Sequence, residues 1–179
     1  DWRAQLQAGE AMVVLGAAGG VCLTAVEVGK AMGATVTAAA NGPERTALAA
    51  EHGADHLIDY STENLRERVR DITDGNGCNV IFDPVGGQAF DVALRCTAWE
   101  GRLIVIGFAS GTIPQVPANI LLVKNCGVLG FYWGAYRRRE PERFKAAFKE
   151  LFKWFEKGTL TPHVSQTFPL EQAGEALRI

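Results

Sequence analysis

Residues 16–22 read Gly-Ala-Ala-Gly-Gly-Val-Cys, and this stretch decides the fold. It follows a short apolar run at residues 11–15 and opens a pattern of apolar residues at helical spacing, so the sequence predicts strand, glycine turn and helix in succession. In that context Gly16 permits a sharp turn, while Gly19 and Gly20 lack the Cβ atoms that would keep a pyrophosphate from the backbone. The N–H groups and positive end of the following helix favour such a dianion.

Apolar runs alternate with helical patterns along most of the chain. Strands separated by helices imply a parallel sheet covered on both faces and joined by right-handed crossovers. Six strands in two halves predict a Rossmann-type, doubly wound α/β sheet of strand order 3-2-1-4-5-6, which binds ligands beyond the carboxyl ends of its strands. The predicted strands are 12–15, 35–40, 56–59, 78–83, 102–106 and 127–132, and the predicted helices are 20–32, 43–52, 63–72, 88–96, 119–123 and 140–157.

Size and charge favour one α/β domain without affinity for polyanions. The chain has 179 residues, a formal net charge of −2 and a pI of about 6.0, which predicts no general attraction to nucleic acid or to an anionic membrane. No run approaches the roughly 20 apolar residues of a membrane span. Histidines and cysteines do not stand at zinc-ligand spacing, so no metal site is expected. Apolar neighbours indicate buried thiols in a reducing, cytoplasmic compartment for Cys22, Cys78, Cys96 and Cys126.

The end of the second predicted strand bears on the choice of cofactor. Many dinucleotide-binding folds place a carboxylate there, roughly 20 residues past the glycines, to hold the ribose hydroxyls of NAD. Here residues 38–42 read Ala-Ala-Ala-Asn-Gly, and Arg45 follows with a guanidinium suited to a 2′-phosphate. Glu44 argues the other way, although a helix N-terminus also favours an acidic residue. The pattern favours NADPH over NADH, and the alternative for Arg45 is an exposed helix residue without a ligand.

Five motifs in sequence order resemble one family. The ordered set is similar to the zinc-free quinone oxidoreductase branch, also called zeta-crystallin-like, of the medium-chain dehydrogenase/reductase superfamily. The resemblance covers nearly the whole chain, and the ordered set is far more specific than any one motif. The motifs are Leu-Gly-Ala-Ala-Gly-Gly-Val at 15–21, Gly-Ala-Asp-His-Leu-Ile-Asp-Tyr at 53–60, Phe-Asp-Pro-Val-Gly-Gly at 82–87, Gly-Arg-Leu-Ile-Val-Ile-Gly-Phe-Ala-Ser-Gly at 101–111 and Gly-Phe-Tyr-Trp-Gly at 130–134.

The resemblance implies a role for each matching position. The glycine turn holds the pyrophosphate, Arg45 and Tyr60 hold the 2′-phosphate, and the turn at 83–86 follows the middle of the cofactor. Residues 107–109 and 131–133 match segments beside the nicotinamide, although Phe108, Tyr132 and Trp133 fit equally well as core or interface aromatics. Neither a catalytic residue nor a metal ligand is assigned. The predicted cofactor-binding residues are Gly16, Ala18, Gly19, Gly20, Val21, Asn41, Arg45, Tyr60, Asp83, Val85, Gly86, Gly107, Phe108, Ala109, Phe131, Tyr132 and Trp133.

Position 22 departs from the family pattern, which has a glycine there. That glycine lets helix and strand pack closely, so the Cys22 side chain has to be accommodated. A misfit in a tight site costs about 1–3 kcal/mol, whereas a small thiol fits after a slight shift of the helix. A thiolate at a helix N-terminus would have a lowered pKa, but an inert buried thiol is the favoured interpretation.

The resemblance also implies an N-terminal β-rich domain that forms the other wall of the substrate cleft. The chain does not begin with Met and its last residues stop inside an amphipathic pattern, so we expect a piece of a longer protein. Residues 1–158 are assigned to the NADP(H)-binding Rossmann domain and residues 159–179 to a segment that returns to the other, GroES-like domain. Without that domain the segment is expected to be poorly ordered or packed elsewhere, with His163 a surface histidine.

The function implied by the resemblance is hydride transfer from NADPH to a quinone or another α,β-unsaturated carbonyl, without zinc. The chain itself is expected to bind NADPH weakly, with little or no turnover. An enoyl-thioester or alkenal reductase of the same superfamily, and a dinucleotide-binding module without catalysis, are the alternatives. The sixth strand forms an apolar sheet edge, and the resemblance implies a homodimer in which two such edges pair.

Overall fold

Six parallel strands form a single sheet in the computed structural model, which describes residues 2–178. The strands are β1 (Ala11–Leu15), β2 (Thr35–Ala40), β3 (His56–Asp59), β4 (Cys78–Asp83), β5 (Thr97–Val105) and β6 (Gly127–Gly130). Their order is β3-β2-β1-β4-β5-β6, so the predicted α/β Rossmann-type fold is confirmed together with its strand order. The predicted domain 1–158 begins at residue 1 and the predicted segment 159–179 ends at residue 179, and both of these residues lie outside the described residues.

A helix follows each of the first five strands, as parallel neighbours require. The helices are α1 (Gly20–Ala31), α2 (Pro43–Glu51), α3 (Leu65–Ile72), α4 (Gly87–Cys96), α5 (Ala118–Lys124), α6 (Trp133–Arg139), α7 (Pro141–Glu156) and α8 (Ala173–Ala176), with a 3₁₀ turn at Leu170–Gln172. None of the helices among the described residues is both long and apolar enough to cross a membrane.

The core lies on both faces of the sheet because its central strands are apolar at nearly every position. Val14 and Leu15 are fully buried and belong to two different core clusters, one on each face. The pairings Leu15↔Ala39 and Val13↔Ile81 place β1 between β2 and β4. A strand buried on both faces reads as a continuous apolar run, and this is why the first strand is recognisable in the sequence.

Helix α1 approaches the sheet very closely at Gly29. A Cβ built there would lie 2.9 Å from both Met12 Sδ and Val36 Cγ2. Cys22, nearer the start of the same helix, is only 5% exposed, so its thiol is accommodated inside the core. The tight helix–strand contact that the family pattern associates with a glycine at position 22 lies two turns further along in this chain.

Strand β5 begins earlier than predicted, at Thr97 directly after α4. Its pairing with β4 shifts register between Cys78 and Val80, and Glu100 adopts a left-handed φ of 58°. The residues before the predicted start at 102 therefore belong to the same strand, with an irregularity of the kind that bulges produce.

The sixth strand is shorter than predicted, ending at Gly130 instead of residue 132. The Phe131 N–H still donates to the Val105 carbonyl over 3.0 Å, after which the chain turns into α6, a helix that the sequence did not predict. The basic run 137–139 occupies the last turn of α6, where cations offset the negative helix end. Pro141 then starts α7, so the predicted long helix 140–157 is confirmed with slightly different limits.

The segment after α7 is anchored at its start. Leu160 is buried, and the backbone N–H and hydroxyl of Thr161 both donate to Glu27 Oε1. Residues 162–167 are exposed. The first residues of the segment thus pack against α1, while its assignment to another domain stays a prediction.

Candidate dinucleotide-binding site

The turn between β1 and α1 is built by backbone that only glycine adopts easily. Gly16 has a φ of 63°, and a Cβ on it would lie 3.1 Å from Val85 Cγ2 in the turn after β4. The Gly19 N–H donates to the Gly16 carbonyl over 3.1 Å, and the Gly19 carbonyl then accepts the N–H groups of Cys22 and Leu23. The two turns at the carboxyl ends of β1 and β4 thus contact each other, as a doubly wound sheet requires for its ligand crevice.

The start of α1 is open to a ligand. A Cβ built on Gly20 would meet nothing within 4 Å, and the neighbouring Val21 side chain is 62% exposed. The first N–H groups of a helix have no partner within the helix, so they and the helix dipole face this open space. The residues present therefore fit a pyrophosphate, which needs room beside a helix N-terminus.

Cys22 lies beneath this turn and leaves its outer surface free. The thiol Sγ would be 3.6 Å from a Cβ on Gly19, an ordinary packing distance, so the sulfur fills the inner side of the turn. Burial raises the pKa of Cys22 to about 11, against the lowering by a hydrogen bond from Gly19. The preferred interpretation of an inert, protonated thiol agrees with this environment.

Asp83 shapes the turn after β4. Its carboxylate is fully buried, and Oδ1 accepts the N–H groups of Val85 at 2.8 Å and Gly86 at 2.9 Å. Oδ2 has no hydrogen-bond partner among the described residues. Burial raises the pKa of Asp83 despite those two bonds, and its charge in turn raises the pKa of Cys22 and Tyr60. Since β1 lies between β4 and β2, the glycine turn separates Asp83 from the predicted 2′-phosphate residues after β2 and β3.

Arg45 and Tyr60 come together although 15 positions separate them in sequence. Arg45 is exposed in the first turn of α2, and Tyr60 is half-buried just after β3. Burial raises the pKa of Tyr60, and the nearby Arg45 guanidinium lowers it in part. Tyr60 stays protonated at neutral pH, so a cation and a hydroxyl donor face the same region. Asn41, exposed at the end of β2, borders it.

Asp59 is a residue of this region that sequence reasoning missed. Its Oδ1 accepts the Gly42 N–H over 2.8 Å, which fixes the β2–α2 turn in front of Arg45. Hydrogen bonds from Ser61 and from Gly42 lower the pKa of Asp59. Because β2 and β3 are parallel neighbours, their carboxyl ends meet. The predicted pairing of these two strands could therefore have pointed to Asp59.

The loop after β5 covers the turn after β4. The N–H groups of Ala109 and Ser110 donate to the carbonyls of Pro84 and Val85 over 3.0 and 2.9 Å. Gly86 has a φ of 71°, and a Cβ on it would lie 2.9 Å from the Thr112 carbonyl and 3.1 Å from Phe108 Cδ1. The predicted residues after β4 and after β5, including Gly107, are therefore adjacent. Thr112 and Ser110, which had no predicted role, hold the two turns together.

The aromatic residues after β6 have different surroundings. Tyr132 is 75% exposed, whereas the Trp133 ring stacks on Trp2 at 5.3 Å and packs on Phe144 at 4.9 Å. Phe131 lies in the same cluster, 6.5 Å from Trp2. Trp133 thus has the packing role that was one of its two interpretations, and contact of residues 131–133 with a nicotinamide stays a prediction.

A comparison with known families decides the classification. The profile described as "Zinc-binding dehydrogenase" matches residues 20–154, which begin at the last glycine of the turn and include the strands β2 to β6. The chain belongs to this dehydrogenase family. Among residues 2–178, however, no group of three or more His, Cys, Asp and Glu side chains forms a cluster able to hold a metal ion.

Relatives within this dehydrogenase family confirm the resemblance to quinone oxidoreductases. The chain is 40% identical to the quinone oxidoreductase-like protein 2 homolog of Nematostella vectensis over 99% of this chain and 49% of the relative. It is 38% identical to a quinone oxidoreductase of Pseudomonas aeruginosa over 96% of this chain and 53% of the relative. The chain thus spans about half the length of the curated relatives it matches.

Solved structures of dehydrogenase relatives show the same architecture. The quinone oxidoreductase of Escherichia coli superposes with a TM-score of 0.86 and 29% identity, over 97% of this chain and 54% of that chain. That structure is a complex with NADPH, the cofactor predicted from the sequence.

Proposed function

We propose that this chain is the NADPH-binding domain of an enzyme that transfers hydride to a quinone or another α,β-unsaturated carbonyl. The observation that carries the proposal is the open start of α1 at Gly20, and the effect of the Arg45 charge on the Tyr60 pKa supports the 2′-phosphate site. The NADPH complex of the Escherichia coli relative supports the same cofactor. When bound, NADPH supplies the hydride, and the protein supplies binding and orientation.

Each part of the site has a separate task in this proposal. The N–H groups at Gly20 and Val21 bind the pyrophosphate, and the absence of a Cβ at Gly20 lets it approach the backbone. The Arg45 guanidinium and Tyr60 hydroxyl bind the 2′-phosphate, since charge-assisted hydrogen bonds to phosphate are strong. The Asp59 carboxylate is engaged by Gly42 and Ser61 and so does not replace them as a ribose ligand.

The turn after β4 and the loop after β5 guide the reactive half of the cofactor. Their mutual hydrogen bonds at Pro84 and Val85 keep Gly107, Phe108 and Ala109 at the carboxyl edge of the sheet. We propose that the reaction is zinc-independent. Burial raises the pKa of all four thiols of this chain, and residues 2–178 contain no cluster of three or more potential metal ligands. The negative oxygen that develops on the substrate is then stabilised by hydrogen bonds.

We also propose a cytoplasmic homodimer. Strand β6 pairs only with β5 within the described chain, so its other edge is free. Leu122 and Val123 on the adjacent α5 are 79% and 75% exposed, which adds apolar surface beside that edge. Edges of this kind are normally paired or covered. A monomeric mass by light scattering at micromolar concentration would contradict the dimer.

Cofactor titrations test the proposal directly. NADPH and NADH are titrated separately into the chain, with nicotinamide fluorescence as the readout. We expect NADPH to bind at least tenfold more tightly, about 1.4 kcal/mol, and Arg45→Ala to abolish that preference while NADH binding persists. Arg139→Ala, at an exposed position on α6, is the matched control and should change neither affinity. Equal affinities for the two cofactors would overturn the 2′-phosphate argument.

The hydride-transfer part requires the full gene product. NADPH oxidation is followed with a quinone and with an enoyl thioester, each in the presence and absence of a strong chelator. We expect turnover with the quinone that the chelator leaves unchanged. A preference for the thioester, or loss of activity after chelation, would contradict the proposed substrate class or its independence of zinc.

A further inference from the structure

A polar cleft lies at the amino ends of the strands, opposite the carboxyl ends where the candidate dinucleotide site lies. It has a volume of about 370 Å³ and is formed where β4 and β5 begin, between the end of α3, the loop 75–77 and the end of α5. The candidate dinucleotide site lies at the carboxyl ends of the strands, so the length of the strands separates the two sites. A volume of this size is within the range of small-ligand sites.

Four cations line this cleft, and no acidic residue does. They are Arg66 and Arg70 from α3, Arg95 from α4 and Lys124 from α5. Within residues 2–178 none of the four forms a salt bridge with a carboxylate. The positive charge of Arg66 and Lys124 reaches the buried Cys96 at the base of the cleft, where it partly counteracts the effect of burial on the thiol pKa.

Helix ends explain part of this charge. Arg70, Arg95 and Lys124 each lie in the last turn of a helix, where a cation offsets a partial negative charge of about half an electron. Lys124 also donates to the Thr97 carbonyl over 2.6 Å, and Arg95 donates to the Asp91 carbonyl over 2.7 Å. These two side chains therefore have structural roles whether or not the cleft binds anything.

A helix end does not explain Arg66, which lies in the first turn of α3, and it accounts for Arg70 only in part. They stand four residues apart on α3, a spacing at which like charges destabilise a helix by about 0.2–0.5 kcal/mol. The structure gives neither guanidinium a hydrogen-bond acceptor among the described residues, although both line the same cleft. Three partial negative helix ends do not balance four full positive charges. The cleft thus keeps a net positive potential that an anion would relieve.

We propose that this cleft binds a phosphate dianion, either free or carried by a small phosphorylated metabolite. The planar guanidinium groups of Arg66 and Arg70 match the oxygens of a phosphate and donate two hydrogen bonds each. The anchored Lys124 ammonium supplies a fixed positive charge behind them. The site is independent of the dinucleotide site and does not rest on the function proposed for that site.

Residue-resolved titration separates this site from the dinucleotide site. Inorganic phosphate, and separately a sugar phosphate, is added to the ¹⁵N-labelled chain at constant ionic strength while amide resonances are followed by NMR. We expect saturable shifts at Gly75 and Gly77, which border the cleft, without matching shifts at Gly19 and Gly20. Equal affinity for the two ligands would indicate the free ion as the source, and tighter binding of the sugar phosphate would indicate a metabolite; both outcomes support the site.

The double variant Arg66→Gln/Arg70→Gln tests which side chains bind. It should weaken phosphate binding at least tenfold and leave the rest of the spectrum, and therefore the fold, unchanged. The matched control is Arg137→Gln/Arg138→Gln, which removes the same charge from exposed positions on α6 and should retain full affinity. Shifts that do not saturate, that sodium chloride reproduces, that persist in the Arg66/Arg70 variant, or that appear only at Gly19 and Gly20 would overturn the proposal.

Discussion

The Thr161 hydroxyl donates a hydrogen bond to Glu27 Oε1 over 2.8 Å, across 134 positions of sequence. The Thr161 N–H reaches the same oxygen at 3.1 Å, and His52 Nδ1 lies 2.8 Å from it. One buried carboxylate oxygen on α1 thus joins α2 to the segment that follows α7. This contact anchors the start of the segment to the helices of the described fold.

Removing the Thr161 hydroxyl should loosen the segment that follows it in the chain. Thr161→Ala deletes one hydrogen bond to a buried carboxylate, so we expect the free energy of unfolding to fall by about 1–2 kcal/mol. Limited proteolysis between residues 162 and 169 should become faster. Thr167→Ala, an exposed position in the same segment, is the control and should behave as the parent chain. Identical cleavage rates for the two variants would show that the contact does not anchor the segment.

A methyl group at Gly20 should affect cofactor binding without affecting folding. Its Cβ would enter open space at the start of α1, so the unfolding midpoint of Gly20→Ala should not decrease. If the pyrophosphate lies against this backbone, NADPH affinity should fall about tenfold or more, measured by calorimetry. Gly174→Ala also enters open space, but in α8, and should retain the parental affinity. Unchanged binding by Gly20→Ala would place the pyrophosphate elsewhere.

Gly29→Ala should affect folding rather than cofactor binding. Alanine gains about 1 kcal/mol of helix propensity over glycine, but the new Cβ would overlap Met12 Sδ and Val36 Cγ2 at 2.9 Å. Overpacking of this kind costs about 1–3 kcal/mol. We expect a net destabilisation of about 1 kcal/mol relative to the parent chain in urea unfolding, whereas Gly20→Ala should not be destabilised. Equal stability of the two variants would mean that α1 shifts freely on the sheet.

Buried thiols should make stability depend on pH in the alkaline range. Burial raises the pKa of Cys22 and of Cys96 to about 11, whereas an unfolded thiol titrates near pH ~8.5. The folded chain keeps these protons after the unfolded chain has released them, so the free energy of unfolding is fully present below pH ~8.5 and falls as the pH rises towards 11. Each thiol accounts for roughly 3 kcal/mol of that loss, because one pKa unit corresponds to about 1.4 kcal/mol.

Urea unfolding at pH 7.5, 9 and 10.5 measures this slope. Cys22→Ala removes one of the contributing groups and should flatten the decline, whatever its effect on stability at neutral pH. Other groups that titrate above pH 9 are common to both proteins and cancel in the comparison. Parallel declines in the parent and the variant would rule out a stabilising proton on Cys22.

The sheet could be predicted, and a candidate site placed on it, because both depend on local patterns. The strands are recognisable as apolar runs that are buried on two faces. The glycine turn at residue 16 and the turn at Asp83 mark the carboxyl ends of β1 and β4, and both are recognisable from local sequence alone. The irregular start of β5 could not be predicted, since the left-handed conformation of Glu100 follows from its pairing with β4. Helix α6 was missed because its aromatic start is stabilised by Trp2.

Contacts between distant segments account for the parts of the site that sequence reasoning missed. Asp59 was identifiable only through the pairing of β2 with β3, which brings its carboxylate to the Gly42 N–H. Thr112 acquires its role because its carbonyl accepts the Gly87 N–H over 3.1 Å, a contact between two loops that a periodic pattern does not encode. The cleft around Arg66 and Arg70 combines residues from three helices, none of which shows an unusual motif alone.

The enclosure of all four sulfur atoms has a chemical consequence for a chain proposed to work beside quinones. Quinones are electrophiles that alkylate accessible thiolates, and thiolates, not thiols, are the reactive nucleophiles. Cys22 is the sulfur closest to the cofactor turn, yet it is shielded by backbone and carries its proton at neutral pH. The four thiols of this domain are therefore shielded from alkylation by electrophiles of this kind.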